Sequence, residues 1–230
     1  MLFLRSALFN LWFAGLTILM GTLGLPLLLG PRRLAAGFCR LWARGVLWGL
    51  KAIAGVGMRV TGKVPRGPVL VAAKHMSTWD TLAIYVTLGD PGIILKRSLL
   101  FIPFFGWYVG KTAAIPIDRG GGAATLRFMA KQAEAVLGAG RPVVIFPEGT
   151  RRKPGAPPAY KPGVAGLYSQ LGVACVPVAL NSAVHWRGFW KHPGTITLAF
   201  LEPIPPGLKR GQLMPILEER IEGATNALLG

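Results

Sequence analysis

Residues 6–30, SALFNLWFAGLTILMGTLGLPLLLG, contain no charged side chain. A run of this length must be shielded from water, and about 20 apolar residues already suffice for a helix to cross a bilayer. Gly15, Gly21, Gly24 and Pro26 make it an imperfect helix. A secretory signal has an apolar core of about 7–15 residues followed by a small-residue cleavage site. This run is longer and ends in Gly30-Pro31-Arg32-Arg33, so a retained segment is expected.

Residues 34–54 follow as a basic amphipathic helix. Arg40, Arg44 and Lys51 fall near one face, while Phe38, Leu41, Trp42, Leu47, Trp48 and Leu50 crowd the rest. Tryptophan beside arginine is the composition of an interfacial helix; the alternative is a core helix of the globular domain. The chain has 26 Lys and Arg against 9 Asp and Glu, a net charge of +17, yet 52% of its residues are hydrophobic. Charge together with hydrophobicity points to anionic lipid or anionic small substrates. Arg32, Arg33, Arg40, Arg44 and Lys51 all follow the apolar segment, which predicts a cytoplasmic side for that flank. Residues 1–56 are accordingly expected to be membrane-anchoring helices and residues 57–230 a second, folded domain.

Beyond Gly62 short apolar runs alternate with helical patterns. Strands are predicted at 67–73, 93–95, 112–117, 142–146, 174–180 and 195–200, with helices at 81–88, 123–137, 163–171 and 213–229. This alternation predicts an α/β fold, a mixed sheet flanked by helices, behind the N-terminal two-helix segment.

Residues 1–79 carry ten basic residues and no acid; the first carboxylate is Asp80, in KHMSTWDT at 74–81. The motif spans a predicted strand-to-helix turn, where open α/β sheets place their chemistry. Ser77-Thr78-Trp79-Asp80 has the form of a capping box, so Asp80 could serve only the helix end. A turn before the helix would also let His75 fold back onto Asp80, which would orient the imidazole and leave its other nitrogen free as a base.

Three further blocks follow in order: IPIDR at 115–119, FPEGTR at 146–151 and VPVAL at 176–180. Together with His75 and Asp80 they resemble the PlsC-type glycerolipid acyltransferases, and bacterial 1-acylglycerol-3-phosphate acyltransferases most of all, over residues 65–185. The resemblance implies that His75 takes the proton from the acceptor's sn-2 hydroxyl and that Asp80 orients it. It also implies that Lys96, Arg119, Glu148, Gly149, Thr150 and Arg151 bind the glycerol phosphate. The donor would be an acyl thioester of coenzyme A or acyl carrier protein, with no cofactor, no metal and no acyl-enzyme on Ser77, Cys39 or Cys175. Phosphate requires convergent cations, and arginine supplies bidentate geometry, whereas Glu148 is expected to pair with a cation or with substrate hydroxyls. One departure is Lys74, where many members carry Asn before the histidine.

The product would be phosphatidic acid, made at the cytoplasmic membrane with the catalytic domain facing the cytoplasm and the N-terminal helices embedded in one leaflet. Two alternatives stand beside this. One is another lyso-acceptor, such as a lyso-ornithine lipid or a lysophospholipid. The other is a non-enzymatic basic membrane- or nucleic-acid-binding protein, although a charged groove needs neither a His–Asp pair nor a long uncharged segment. His185 and His192 lack partners at metal-ligand spacing and are expected at the surface or against lipid.

Overall fold

The computed structural model describes residues 1–112, 114–118 and 122–230. The uncharged segment forms helix α1 (Leu2–Leu23) and a 3-10 turn (Leu25–Leu28), and α2 (Arg32–Ala54) runs back against it. Gly45 and Gly49, one turn apart on α2, make this close packing possible. Leu16 lies over the first, and a side chain at the second would overlap the Trp12 indole. That indole instead donates to the Gly45 carbonyl at 3.1 Å.

The remaining elements are β1 (Val56–Thr61), β2 (Leu70–Ala73), α3 (Thr78–Leu88), β3 (Gly92–Lys96), α4 (Phe105–Lys111), β4 (Ile115–Ile117), α5 (Gly122–Gly138), β5 (Val143–Ile145), α6 (Gly163–Leu171), β6 (Cys175–Leu180), α7 (Ser182–His185), β7 (Trp186–Arg187), β8 (Trp190–Lys191), β9 (Gly194–Phe200) and α8 (Arg210–Leu229). Seven strands form one sheet in the order β1-β9-β6-β2-β5-β3-β4. All neighbours are parallel except β6 and β9, so the sheet is mixed, as predicted.

Successive strand residues face opposite sides, and the continuous apolar runs feed two cores. Val71 and Ala73 of β2, Val144 of β5 and Val178 of β6 meet Phe9, Val46, Leu50 and Trp79 from α1, α2 and α3. Leu70, Ala72, Val143 and Ile145 meet Met129, Leu167, Leu213 and Leu217 from α5, α6 and α8. Each fully buried side chain of this kind contributes about 1.5–3 kcal/mol.

Helix α2 combines both readings of residues 34–54. Ala43, Val46, Leu50 and Ala54 are in the core, while Leu34, Leu41 and Trp48 are exposed. Its basic residues divide in the same way. Arg32 grips Asp90 with two hydrogen bonds of 3.0 and 2.8 Å, and Arg40 donates to the Gly89 carbonyl at 3.2 Å. Arg33, Arg44 and Lys51 face outward.

Several element boundaries differ from expectation, two of them by three residues for a visible reason. The run 112–117 is a strand only over Ile115–Ile117, because Thr112 closes α4, its N–H bonded to the Tyr108 and Val109 carbonyls. Helix α8 starts three residues earlier than predicted, at Arg210, where the Gln212 side chain accepts from the Lys209 N–H at 3.0 Å.

Candidate active site

Strand β2 delivers the chain to the turn at residues 74–77, and α3 leaves from it. Ser77 is the N-cap; its hydroxyl accepts from the Trp79 N–H at 3.2 Å. Asp80 in the first turn has no solvent exposure. Its Oδ2 accepts from the Met76 and Ser77 N–H groups at 2.6 and 2.8 Å and faces His75 Nδ1 at 2.9 Å; its Oδ1 accepts from the Ser77 hydroxyl at 3.2 Å. The capping role and the orienting role are thus filled by the same carboxylate. The backbone bonds hold its charge in place, and with Nδ1 donating to it, Nε2 carries the imidazole's lone pair.

The imidazole stacks on Phe146, with ring centroids 4.1 Å apart, and the His75 carbonyl accepts the Arg152 N–H at 2.8 Å. The KHMSTWDT turn and the FPEGTR block are therefore in direct contact. Gly149 adopts φ +67°, the left-handed conformation glycine takes without strain, and its N–H closes the turn onto the Phe146 carbonyl at 2.9 Å. Thr150 and Arg151 beyond it are exposed, and Arg151 makes no ion pair with a described residue.

The predicted site residues are brought together by strand order. His75 follows β2, the Glu148–Arg151 turn follows β5, and Lys96 ends β3. These are three adjacent parallel strands, so all sit at the carboxyl edge, where such sheets bind ligands. Lys96 is exposed and lies in register with Ile117 of β4. Beside it Arg97 pairs with Asp118 at 2.9 Å. Arg119 lies outside the described residues.

Glu148 is turned away from solvent, 2% exposed. Lys74 Nζ, itself buried, lies 3.1 Å from Glu148 Oε2 and 2.7 Å from Glu222 Oε1 on α8. The Tyr160 hydroxyl donates to the same Glu222 oxygen at 2.7 Å, and burial, then that hydrogen bond, push its pKa far above the ordinary phenol value. Arg152 Nε stands 3.5 Å from Glu148 Oε1. Of the two partners expected for Glu148, a cation is the one observed. Glu222 and Tyr160 were not anticipated as part of this cluster. The only signal for it was Lys74 itself, an ammonium where its motif has an amide.

Helix α3 also borders a partly open apolar cavity of about 100 Å³ lined together with α1, α2 and α4, whose walls include Phe38, Trp42, Leu82, Ile93, Leu95 and Phe105. Asp80 occupies the first turn of that helix and Leu82 the wall of the cavity, so the polar turn and the apolar space share one element. No group of three or more His, Cys, Asp or Glu suited to a metal occurs among the described residues. His185 and His192 are half-buried; His185 Nδ1 meets the His192 carbonyl at 3.0 Å.

A family model described as Acyltransferase matches residues 57–181. The chain belongs to the acyltransferase family. It is 34% identical over 201 residues to a 1-acyl-sn-glycerol-3-phosphate acyltransferase of Pseudomonas aeruginosa, covering 84% of this chain and 77% of that one. It is 30% identical over 124 residues to a lyso-ornithine lipid O-acyltransferase of the same organism, covering 54% and 52%. The crystal structure of PlsC, a 1-acyl-sn-glycerophosphate acyltransferase from Thermotoga maritima, superposes with a TM-score of 0.78 over 99% of this chain and 98% of that one at 21% identity, so the two share a fold. In this acyltransferase the matched region runs from β1 through β6 and contains every predicted site residue.

Proposed function

We propose that this acyltransferase transfers an acyl chain from a coenzyme A or acyl carrier protein thioester to the sn-2 hydroxyl of 1-acylglycerol-3-phosphate, giving phosphatidic acid. The observation that carries the reading is the His75–Asp80 pair beside exposed cations at the neighbouring strand ends. Nε2 of His75 removes the hydroxyl proton as the oxygen attacks the thioester carbonyl. The C–O bond forms, the C–S bond breaks and the departing thiolate takes the proton back from the imidazolium, which Asp80 stabilises. Lys96 and Arg151 hold the phosphate, with Arg119, Gly149 and Thr150 as further contacts. Transfer as written needs no cofactor besides the thioester.

Direct transfer is supported by the state of the other nucleophiles. The Ser77 hydroxyl is engaged with Asp80 and, at 2.8 Å, with Ser182. Burial pushes the thiols of Cys39 and Cys175 up to about 12, leaving them protonated and weakly nucleophilic. The apolar cavity beside α3 suits hydrocarbon.

Residues 1–56 act in this reading as the membrane anchor, on the cytoplasmic membrane with the catalytic domain in the cytoplasm. Helix α1 is long and apolar enough to cross a bilayer, but both its ends are tied to the catalytic domain. Near its start the Ser6 hydroxyl accepts the Lys191 N–H at 3.0 Å, and Asn10 further on donates to the Phe189 carbonyl at 3.0 Å; at its end the Gly21 carbonyl accepts the Tyr108 hydroxyl at 3.0 Å. At 1.5 Å per residue these ties favour a helix lying along the domain within one leaflet.

A second reading, a lyso-ornithine lipid as acceptor, is favoured by a groove between α8 and residues 153–158 whose lining includes Glu218, Glu219 and Glu222 beside Lys74, a setting suited to the ammonium and carboxylate of a zwitterionic headgroup. Assays of the purified enzyme with lysophosphatidic acid, lyso-ornithine lipid and lysophosphatidylcholine test both. The first reading expects kcat/KM to be highest for lysophosphatidic acid, and a higher value for lyso-ornithine lipid overturns it.

A further inference from the structure

The β7–β8 hairpin sends Trp186 into the core, but its far end carries two large aromatic residues that stay outside it. Phe189 and Trp190 are 43% and 42% exposed, and Phe3 of α1 beside them is 63% exposed. The three rings form one cluster, with centroid separations of 5.7 Å for Phe3–Phe189, 6.1 Å for Phe3–Trp190 and 5.2 Å for Phe189–Trp190. The patch continues onto α1 through Leu4, Leu8 and Leu11, all exposed.

The hairpin is bound to α1 by unusually specific means. The Lys191 N–H donates to the Ser6 hydroxyl at 3.0 Å. Its fully buried ammonium donates to the Gly188 and Phe189 carbonyls at 2.6 and 2.9 Å and lies over the Trp186 and Phe9 rings at 4.7 and 5.4 Å. A buried ammonium costs desolvation unless such partners compensate it. Here they hold the turn so that the aromatic tip projects outward. Arg187 within the hairpin is exposed as well.

We propose that the hairpin tip, Phe189 and Trp190 together with Phe3, is a membrane-inserting contact that docks the catalytic domain on the same anionic bilayer surface that receives α1. Tryptophan and phenylalanine at the rim of an apolar face match the water–hydrocarbon boundary, and Arg187 faces the headgroups. A contact lying off the helix axis sets how far the domain rolls about α1, and so the height of the His75 turn above the lipid. The proposal rests on the membrane-anchoring reading of residues 1–56.

The test uses the full chain and vesicles of phosphatidylcholine with phosphatidylglycerol. Lipids brominated along the acyl chain should quench Trp190 emission, obtained as the difference between the native chain and W190F. The double variant F189S/W190S should bind these vesicles on the order of ten-fold or more weakly, while keeping native circular dichroism and native activity on a monomeric short-chain acceptor. Absence of quenching overturns the proposal, as does shielding of Trp190 by a second copy in detergent without quenching in vesicles. An L8D/L11D variant separates the two ideas. If it abolishes vesicle binding while F189S/W190S does not, the hairpin contact is wrong and the anchor reading stands. If the native chain does not bind vesicles at all, both fall.

Discussion

At the end of β2, Lys74 and His75 each meet a carboxylate, one delivered from far along the chain and the other from the next helical turn. His75 meets Asp80 five residues away, and that carboxylate is held by backbone N–H groups. The imidazole therefore spends one nitrogen on orientation and keeps the other for chemistry. Lys74 meets Glu148 and, 148 residues away, Glu222. Its ammonium is consumed by two carboxylates, and the result joins three separate parts of the chain: the β2–α3 turn, the FPEGTR loop and α8. Neighbouring residues thus serve different ends. The difference lies in what the carboxylate does: Asp80 leaves one imidazole nitrogen free for a substrate, whereas Glu148 and Glu222 share the Lys74 charge and tie distant parts of the chain together.

The comparison is broken most severely at His75. His75→Ala should lower kcat by about 10²–10⁴-fold with little change in urea midpoint, and near-native turnover would remove the histidine from the mechanism. Asp80→Asn should lower both, because an amide neither stabilises an imidazolium nor accepts at every oxygen that Asp80 uses.

Lys74→Met should act on the other side of the comparison. It strands two carboxylates, and removing one partner of a buried pair costs about 3–5 kcal/mol, read as a lower denaturation midpoint. Adding Glu222→Gln should restore part of that loss. Strict additivity in the double-mutant cycle would mean that the two side chains do not act together.

The smallest effect is expected where the cation is free. Arg151→Ala should raise KM for lysophosphatidic acid by about 10- to 150-fold, the loss of one charge-assisted contact worth roughly 1.5–3 kcal/mol, and leave the denaturation midpoint unchanged. An equal loss with an acceptor lacking phosphate would make Arg151 structural.

Much of the fold was legible because local physics and tertiary physics agreed. Strands β2, β5 and β6 are continuous apolar runs, as strands covered on both faces must be, and α6 begins and ends where its pattern does. Elements without a pattern were missed. Strand β1, VGMRVT, is an edge strand whose mixed exposure produces no alternation. Helix α4, FGWYVGK, combines glycines with aromatic residues of low helix propensity and is held by packing: a side chain at Gly106 would overlap the Leu100 backbone.

The same division runs through the candidate site. His75, Ser77 and Asp80 lie within six residues, and a capping box is a local device, so their geometry follows from the strand-to-helix turn that the chain encodes there. The spacing of the acyltransferase motifs likewise placed Glu148–Arg151 and Lys96 after strands. What no spacing conveys is the direction in which each side chain points once the strands are assembled. Glu148 could have faced substrate or protein; Lys74 drew it inward, and Glu222 reached Lys74 only because α8 returns to pack beside β6. The hairpin tip was equally silent, since its two aromatic residues acquire a neighbour in Phe3 only after the chain has closed a loop of most of its length. Contacts between residues close in sequence carry little loop-closure entropy and leave a readable pattern, whereas long-range pairs are selected by the packing of whole elements and leave none.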